Sequence, residues 1–256
     1  LYRFYPDFPL VSVSDSQRRP VPHLRWIRTV HHGCPLTQYA FTPRPKGDYL
    51  AFLGRIAPEK GVDKAIAIAE RSGLPLRIAA KIDPADRGYF ESRIAPLLAR
   101  SAKATLIGEI GDSAKSGFLG NALALLFPID WPEPFGLVMI EAMATGTPVI
   151  AFNRGSVPEV IDHGVTGFIV ETVEEAAEAV PLAAKLDRTR IRRTFERRFS
   201  ADTMALGYEA AYRTVLGLAD AAATESIRAQ PSAMFGAHLR SGDGRGAESL
   251  AGGAES

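Results

Sequence analysis

Residues 122–150 read ALALLFPIDWPEPFGLVMIEAMATGTPVI. Ala122 to Phe127 is a continuous apolar run, the pattern of a strand buried on both faces. Pro128 to Pro134 is punctuated by proline and reads as a loop. Phe135 to Thr145 then reads as a helix, and Val149 to Phe152 as a second strand. Strand, loop, helix and strand in that order make a βαβ unit, so the sheet is parallel. A loop between a strand's carboxyl end and a helix's amino end is where such proteins hold anions. Free backbone N–H groups and the positive end of the helix dipole converge there. Gly136 has no Cβ to keep a ligand off the backbone. Glu133 and Glu141 are separated by slightly over two helical turns. One carboxylate then sits at the loop while the other reaches the same cleft from within the helix.

Strand–loop–helix units with an acid at each end are common, and the pair gains weight from a second loop. Tyr49 to Leu53 is another apolar strand, followed by Gly54-Arg55-Ile56-Ala57-Pro58-Glu59-Lys60-Gly61 and another helix. Arg55 brings a planar fork and Lys60 a point charge, a pair suited to a diphosphate. Alone, such a basic loop is a solvated turn. Two such loops at two strand ends make a phosphate-sugar cleft the better reading.

Outward from these units the alternation continues. Further strands are expected at Leu10–Ser14, Ile27–His31, Leu76–Ala80, Ala104–Ile107 and Gly167–Val170. Helices are expected at Val62–Ser72, Asp86–Arg100, Ser113–Asn121, Pro158–Asp162, Thr172–Leu186 and Arg188–Phe199. A last helix runs to Leu216 behind a Ser200 cap. The fold class is α/β, a doubly wound parallel sheet with ligands at the carboxyl ends of its strands. Thr42 to Asp48, with its prolines and glycine, is a linker. From about Asp220 the chain turns to Ala, Gly and Ser with few large apolar residues, and that tail is expected to be disordered.

The 256 residues are 46% hydrophobic with a formal charge of +1, which argues against a general nucleic-acid or acidic-polymer role. The single cysteine, Cys34, excludes an intramolecular disulfide and fits a reducing compartment. No apolar run approaches the ~20 residues that span a bilayer, and no signal-peptide pattern opens the chain, so a cytoplasmic location is expected. His31 and His32 have no companion carboxylate at ligand spacing and read as structural. No His/Cys/Asp cluster suggests a metal. Asn153 to Ser156 reads as a mobile loop beside the cleft. Glu159 opens its own short helix, where it suits the dipole, and the sequence leaves open whether it also belongs to the cleft. The basic run Arg188 to Arg198 is of a kind that an anionic membrane surface attracts. Its interleaving with Ile191, Phe195 and Phe199 reads better as the solvated face of a helix.

Several pieces stand in order over about residues 48–218: Gly54-Arg55 with Lys60-Gly61, the Glu-x7-Glu element from Glu133 to Glu141, the run Glu141 to Ala151, the run Gly155 to Ile161 and the turn His163 to Phe168. This ordered set resembles the nucleotide-sugar half of a retaining GT-B glycosyltransferase of the family 4 type. The resemblance implies transfer of a hexose from a nucleotide diphosphate sugar to an unidentified acceptor, with retention and with no metal or other cofactor. It implies that Arg55 and Lys60 grip the diphosphate and stabilise the leaving charge. Gly54 and the backbone at Phe135, Gly136, Leu137 and Val138 would lie against phosphate or sugar. Glu133 would face the transferred sugar, and Glu141 would accept from the ribose hydroxyls. Ile107 to Gly111, Gly108 among them, would read the base.

By the same resemblance, residues 1–43 are a remnant of an acceptor-side Rossmann domain and 44–200 the nucleotide-sugar domain. Residues 201–218 are then a crossover helix and 219–256 the tail. Nearly all of the family's acceptor domain is missing, and catalysis needs both walls of a cleft. The chain alone is therefore expected to bind a donor weakly and to transfer poorly, or to take its second wall from a partner chain. The competing reading is a non-enzymatic module that binds nucleotide sugars or another protein through an exposed face. A GT-B epimerase or phosphorylase fits less well, because no lysine sits where a pyridoxal cofactor would be held.

Overall fold

The computed structural model describes residues 4 and 7–218, so the expected tail lies outside the described residues. Two short strands, β1 (Leu10–Ser12) and β2 (Trp26–Thr29), pair in parallel with each other. Six more form the main sheet: β3 (Leu50–Arg55), β4 (Leu76–Lys81), β5 (Ala104–Gly108), β6 (Ala124–Phe127), β7 (Val149–Phe152) and β8 (Gly167–Val170). All pair in parallel, in the spatial order β5-β4-β3-β6-β7-β8. The order runs one way from β3 and the other way from β6. That reversal is the topological switch point, where open α/β sheets hold ligands.

Both sheet faces are apolar, which explains the uninterrupted strands. Leu50, Phe52, Ala124, Leu126, Ile150 and Phe152 belong to one core, while Ala51, Leu125, Phe127, Val149 and Ala151 belong to the other. Side chains two apart share a face, and each face carries its own layer of helices. On the first pack α1 (Val62–Ser72), whose Val62, Ala65, Ile66 and Ala69 follow helical spacing. After the single turn α2 (Arg87–Tyr89), α3 (Ala95–Arg100) covers the same side. On the second face lie α4 (Asp112–Gly120) and α5 (Leu137–Thr145); the single turn α6 (Val157–Val160) follows, and α7 (Val173–Ala183) returns to the first face. The helix α8 (Arg188–Arg198) covers α5, so α5 is buried on most of its circumference. Last comes α9 (Ala201–Val215), capped by the Ser200 hydroxyl, which accepts from the Thr203 amide at 3.1 Å.

The element boundaries differ from expectation where glycine and proline act. Gly136 has φ 78°, so α5 begins at Leu137 rather than Phe135. The helix expected over 86–100 contains a π segment, Phe90–Ile94, ahead of Pro96, which has no N–H for the preceding turn. Pro181 lies near the end of α7, which stops at Ala183 short of Leu186.

The basic run on α8 is not simply a solvated face, and that expectation is corrected. Arg188 is only 8% exposed and donates to the Thr42, Ala122 and Gly120 carbonyls and to Thr147 Oγ1, all at 2.6–3.0 Å. Burial pulls its pKa down to about 10. Arg192 donates to the carbonyls of Leu36, Tyr39 and Ala144, and Arg198 to Asp162 and the Glu159 carbonyl. A forked cation ties several carbonyls together, which apolar spacing alone does not reveal.

Candidate functional site

β3 pairs with β6 only at Leu50↔Ala124 and Ala51↔Leu125, although its remaining residues stay paired with β4. The two strands therefore part toward their carboxyl ends, and a crevice opens between them. The loop after β3 and the loop after β6 close its floor. Gly61, at φ 69°, leaves no room for a side chain, since a Cβ there would lie 2.1 Å from the Pro128 carbonyl oxygen. The Asp130 amide donates to the Glu59 carbonyl at 2.8 Å.

A first cavity of about 330 Å³ is lined by Gly54, Lys60 and Glu133, by the run Pro134 to Val138, and by His32 and Val13 from the leading segment. Glu133 Oε2 accepts from Lys60 Nζ at 2.6 Å and from Trp131 Nε1 at 3.0 Å. Glu133 Oε1 has no hydrogen-bond partner among the described residues. The Glu133 backbone is held from behind: the Ser156 amide donates to the Glu133 carbonyl at 2.9 Å, and Ser156 Oγ to the Phe135 carbonyl at 2.8 Å. The 153–156 loop, expected to be mobile, is thus a buttress. Past Gly136, the amides of Leu137 and Val138 start α5 with no acceptor among the described residues. Both residues line the same crevice, so an anion at this helix start would meet free donors and the positive helix end.

A second cavity, also about 330 Å³, shares Leu53, Gly54, Leu137 and Val138 with the first. Its further walls bear Lys81, Glu109, Lys115 and Glu141. Glu141 Oε1 accepts from Tyr39 Oη at 2.7 Å and lies 3.4 Å from Lys115 Nζ. Burial, then the bond to Glu141, pushes the Tyr39 phenol well above its ordinary pKa, so it stays a donor. Burial lowers Lys115, but the hydrogen bond to Asp112 and the charge of Glu141 outweigh it and leave the ammonium held above its ordinary value.

Of the residues singled out in the sequence, Gly54, Lys60, Glu133, Phe135, Gly136, Leu137, Val138 and Glu141 line this double crevice. Gly108 turns the chain at φ 82° and lets Glu109 and Ile110 form the wall beside it. Arg55 lines neither cavity; its guanidinium lies 2.7 Å from Glu59 and 3.2 Å from Asp86. Sequence reasoning missed Tyr39, Lys81 and Lys115, quoted Trp131 without giving it a role, and read His32 as structural. Trp131 stood in the quoted loop and was legible; Tyr39 lies in a stretch without periodicity and gave no signal. His32 packs edge-on against Phe135 at 5.1 Å, and burial followed by the His31 charge lowers its pKa. Glu159 takes the Asp15 and Ser16 amides at 2.7 Å each and stands 3.5 Å from His31 Nε2, so it anchors the leading segment. Among the described residues no group of His, Cys, Asp or Glu could hold a metal ion, and no helix is long and apolar enough to cross a membrane.

Comparison with known proteins gives consistent matches. The family model described as glycosyl transferases group 1 matches residues 40–196. Glycogen synthase of Mycobacterium tuberculosis is 30% identical over 174 residues, which cover 65% of this chain and 41% of that protein. The crystal structure of AviGT4, a glycosyltransferase involved in avilamycin A biosynthesis, superposes with a TM-score of 0.69 at 26% identity over 82% of this chain and 64% of that one. Anabaena Alr3699/HepE in complex with UDP-glucose gives a TM-score of 0.67 at 18% identity, covering 81% and 63%. The sheet is thus that of GT-B glycosyltransferases. The chain spans about two fifths of the length of the glycogen synthase it matches.

Proposed function

This chain belongs to the glycosyl transferases group 1 family, and from that membership we propose that its crevice binds a nucleotide diphosphate sugar. The sugar, a hexose by resemblance, would pass to an acceptor hydroxyl with retention at the anomeric carbon. The observation that carries the donor-site reading is the double crevice itself. Glu133 and Lys60 stand at one end, Glu141 at the other, and the free amides of Leu137 and Val138 between them.

In this scheme Glu141 accepts from the ribose hydroxyls and Glu133 from the hexose hydroxyls. Lys60 and the α5 amides hold the diphosphate, and Arg55 joins them by exchanging Glu59 and Asp86 for phosphate oxygens. The bond from the anomeric carbon to the diphosphate oxygen breaks, and its electron pair goes to that oxygen. An acceptor oxygen bonds to the same carbon, and its proton passes to the departing phosphate. The cations stabilise the charge that develops on the leaving group, which is why no metal enters the proposal.

Calorimetry with UDP-, GDP- and ADP-sugars tests the donor site, with UDP-glucose the first to try. One of them binds, and Glu141→Ala weakens that binding about thirtyfold or more, the scale of losing hydrogen bonds to a charged acceptor. A cooperatively melting chain that binds none of them would instead support a module that meets another protein.

A further inference from the structure

The two protein contacts of Glu141 fall on the same oxygen. Tyr39 Oη donates to Oε1 at 2.7 Å, and Lys115 Nζ lies 3.4 Å from Oε1. Glu141 Oε2 has no hydrogen-bond partner among the described residues, yet it is not a buried orphan, since Asp86 Oδ2 is the buried side-chain atom found without one. One oxygen is therefore held by the protein, and the other is left to a ligand on a residue that lines the second cavity.

Tyr39 is placed for this task from outside the sheet. Its ring is 2% exposed, so the phenol has little freedom to turn away. The backbone around it is held at four points: Arg192 donates to the Leu36 and Tyr39 carbonyls, the Ala40 amide donates to Ser116 Oγ at 2.9 Å, and the Thr42 amide donates to the Thr145 carbonyl at 3.0 Å. Arg192 also donates to the Ala144 carbonyl of α5, the helix that carries Glu141. The segment is thus sewn to the carboxylate's own helix.

We propose that Tyr39 is a positioning residue that fixes the rotamer of Glu141, so that Oε2 meets the ribose hydroxyls of the donor and makes the site discriminate ribose from deoxyribose. This rests on the donor-site reading above. Pre-orientation matters because a carboxylate already aimed at its ligand loses less freedom on binding. Lys115 on its flexible stem supplies charge but not direction.

The test is calorimetry of the chain and its Tyr39→Phe variant with UDP, ADP and GDP and with the 2′,3′-dideoxy counterpart of each. The variant keeps the ring and removes one donor, so it should fold; matching cooperative melts check this. For whichever nucleotide binds, the wild-type chain prefers the ribose form, and in the variant that preference falls about tenfold while affinity for the dideoxy form holds. Equal preference in the two proteins overturns the proposal and leaves the donor site standing. Equal weakening of both ligand forms also overturns it, since that is what a merely structural role gives. If the wild type binds none of the nucleotides, the donor-site reading falls and takes this inference with it.

Discussion

Around the crevice, single side chains are set by what they are denied as much as by what they touch. Arg55 is a cation at the mouth of the switch point, and Glu59 and Asp86 hold it. Glu59 stands four residues on in the same loop, but Asp86 lies on another segment, so spacing showed the cation and hid that second partner. Cys34 is the converse, a group the sequence read only for its redox meaning. It is 8% exposed, its amide donates to the Phe199 carbonyl and its carbonyl accepts from Ala201. Burial, then the Glu141 charge, pushes its pKa from 9.0 up to about 11, with Lys115 opposing. The folded chain therefore keeps a proton that the unfolded chain releases near its ordinary value. Between those two pH values the unfolded state binds fewer protons, so stability falls as pH rises. The loss is at most about 3 kcal/mol, since each tenfold change in proton affinity is worth about 1.4 kcal/mol. Urea midpoints measured from pH 8 to 11 should fall for the wild type and fall less for Cys34→Ala. Identical slopes would show that the thiol does not carry the effect, leaving the phenols of Tyr39, Tyr49 and Tyr89, raised in the same sense, as its source.

Elements carry the next level of control, because the loop after β6 is braced by the turn that follows β7. Gly155 has φ 57°, and a Cβ there would lie 2.3 Å from both the amide nitrogen and the carbonyl oxygen of Glu133. Backbone atoms on both sides leave nothing flexible to give way. We expect Gly155→Ala to lower stability by about 1–3 kcal/mol, the scale of a residue forced into a left-handed conformation with a clash. It should weaken donor binding at least tenfold by displacing Glu133, while far-UV circular dichroism stays unchanged because the strands themselves are untouched. A variant with full affinity would mean that the buttress does not position the carboxylate. At this scale the sequence was a good guide to where strands and helices lie. Apolar runs and helical spacing report burial directly, and each face of β3, β6 and β7 has its own core. It was a poor guide to loops that support one another. The contact between Gly155 and Glu133 depends on two strand ends being neighbours, which no local pattern states.

In the whole molecule, one of the ties between the linker and the sheet is a buried guanidinium. Arg188 joins the Thr42 carbonyl of the linker, the Gly120 carbonyl ending α4, the Ala122 carbonyl before β6 and Thr147 Oγ1 before β7. No carboxylate accompanies it among these partners, so its stability rests on neutral acceptors saturating a planar fork. Periodicity assigned this arginine to a solvated surface because it counts apolar positions and is blind to a polar side chain that reaches inward. The residues just before that linker join Tyr39 to Glu141 and Ala40 to Ser116, so the hub and the Glu141 end of the crevice share one stretch of backbone. Arg188→Met keeps most of the volume and strips the donors from several buried acceptors, each costing about 1–3 kcal/mol. We expect a total loss of about 3–5 kcal/mol after partial relaxation. Arg188→Lys separates charge from geometry: one ammonium cannot span acceptors that lie on four segments, and the loss should remain above about 2 kcal/mol. Donor affinity should fall in both variants even well below their melting transitions, because the linker loses its register against α5. Urea unfolding of the three proteins, with calorimetry at a temperature where all are folded, reads both effects. A lysine variant as stable as the wild type would mean that a buried point charge suffices, and that the fork is not what joins the linker to the sheet.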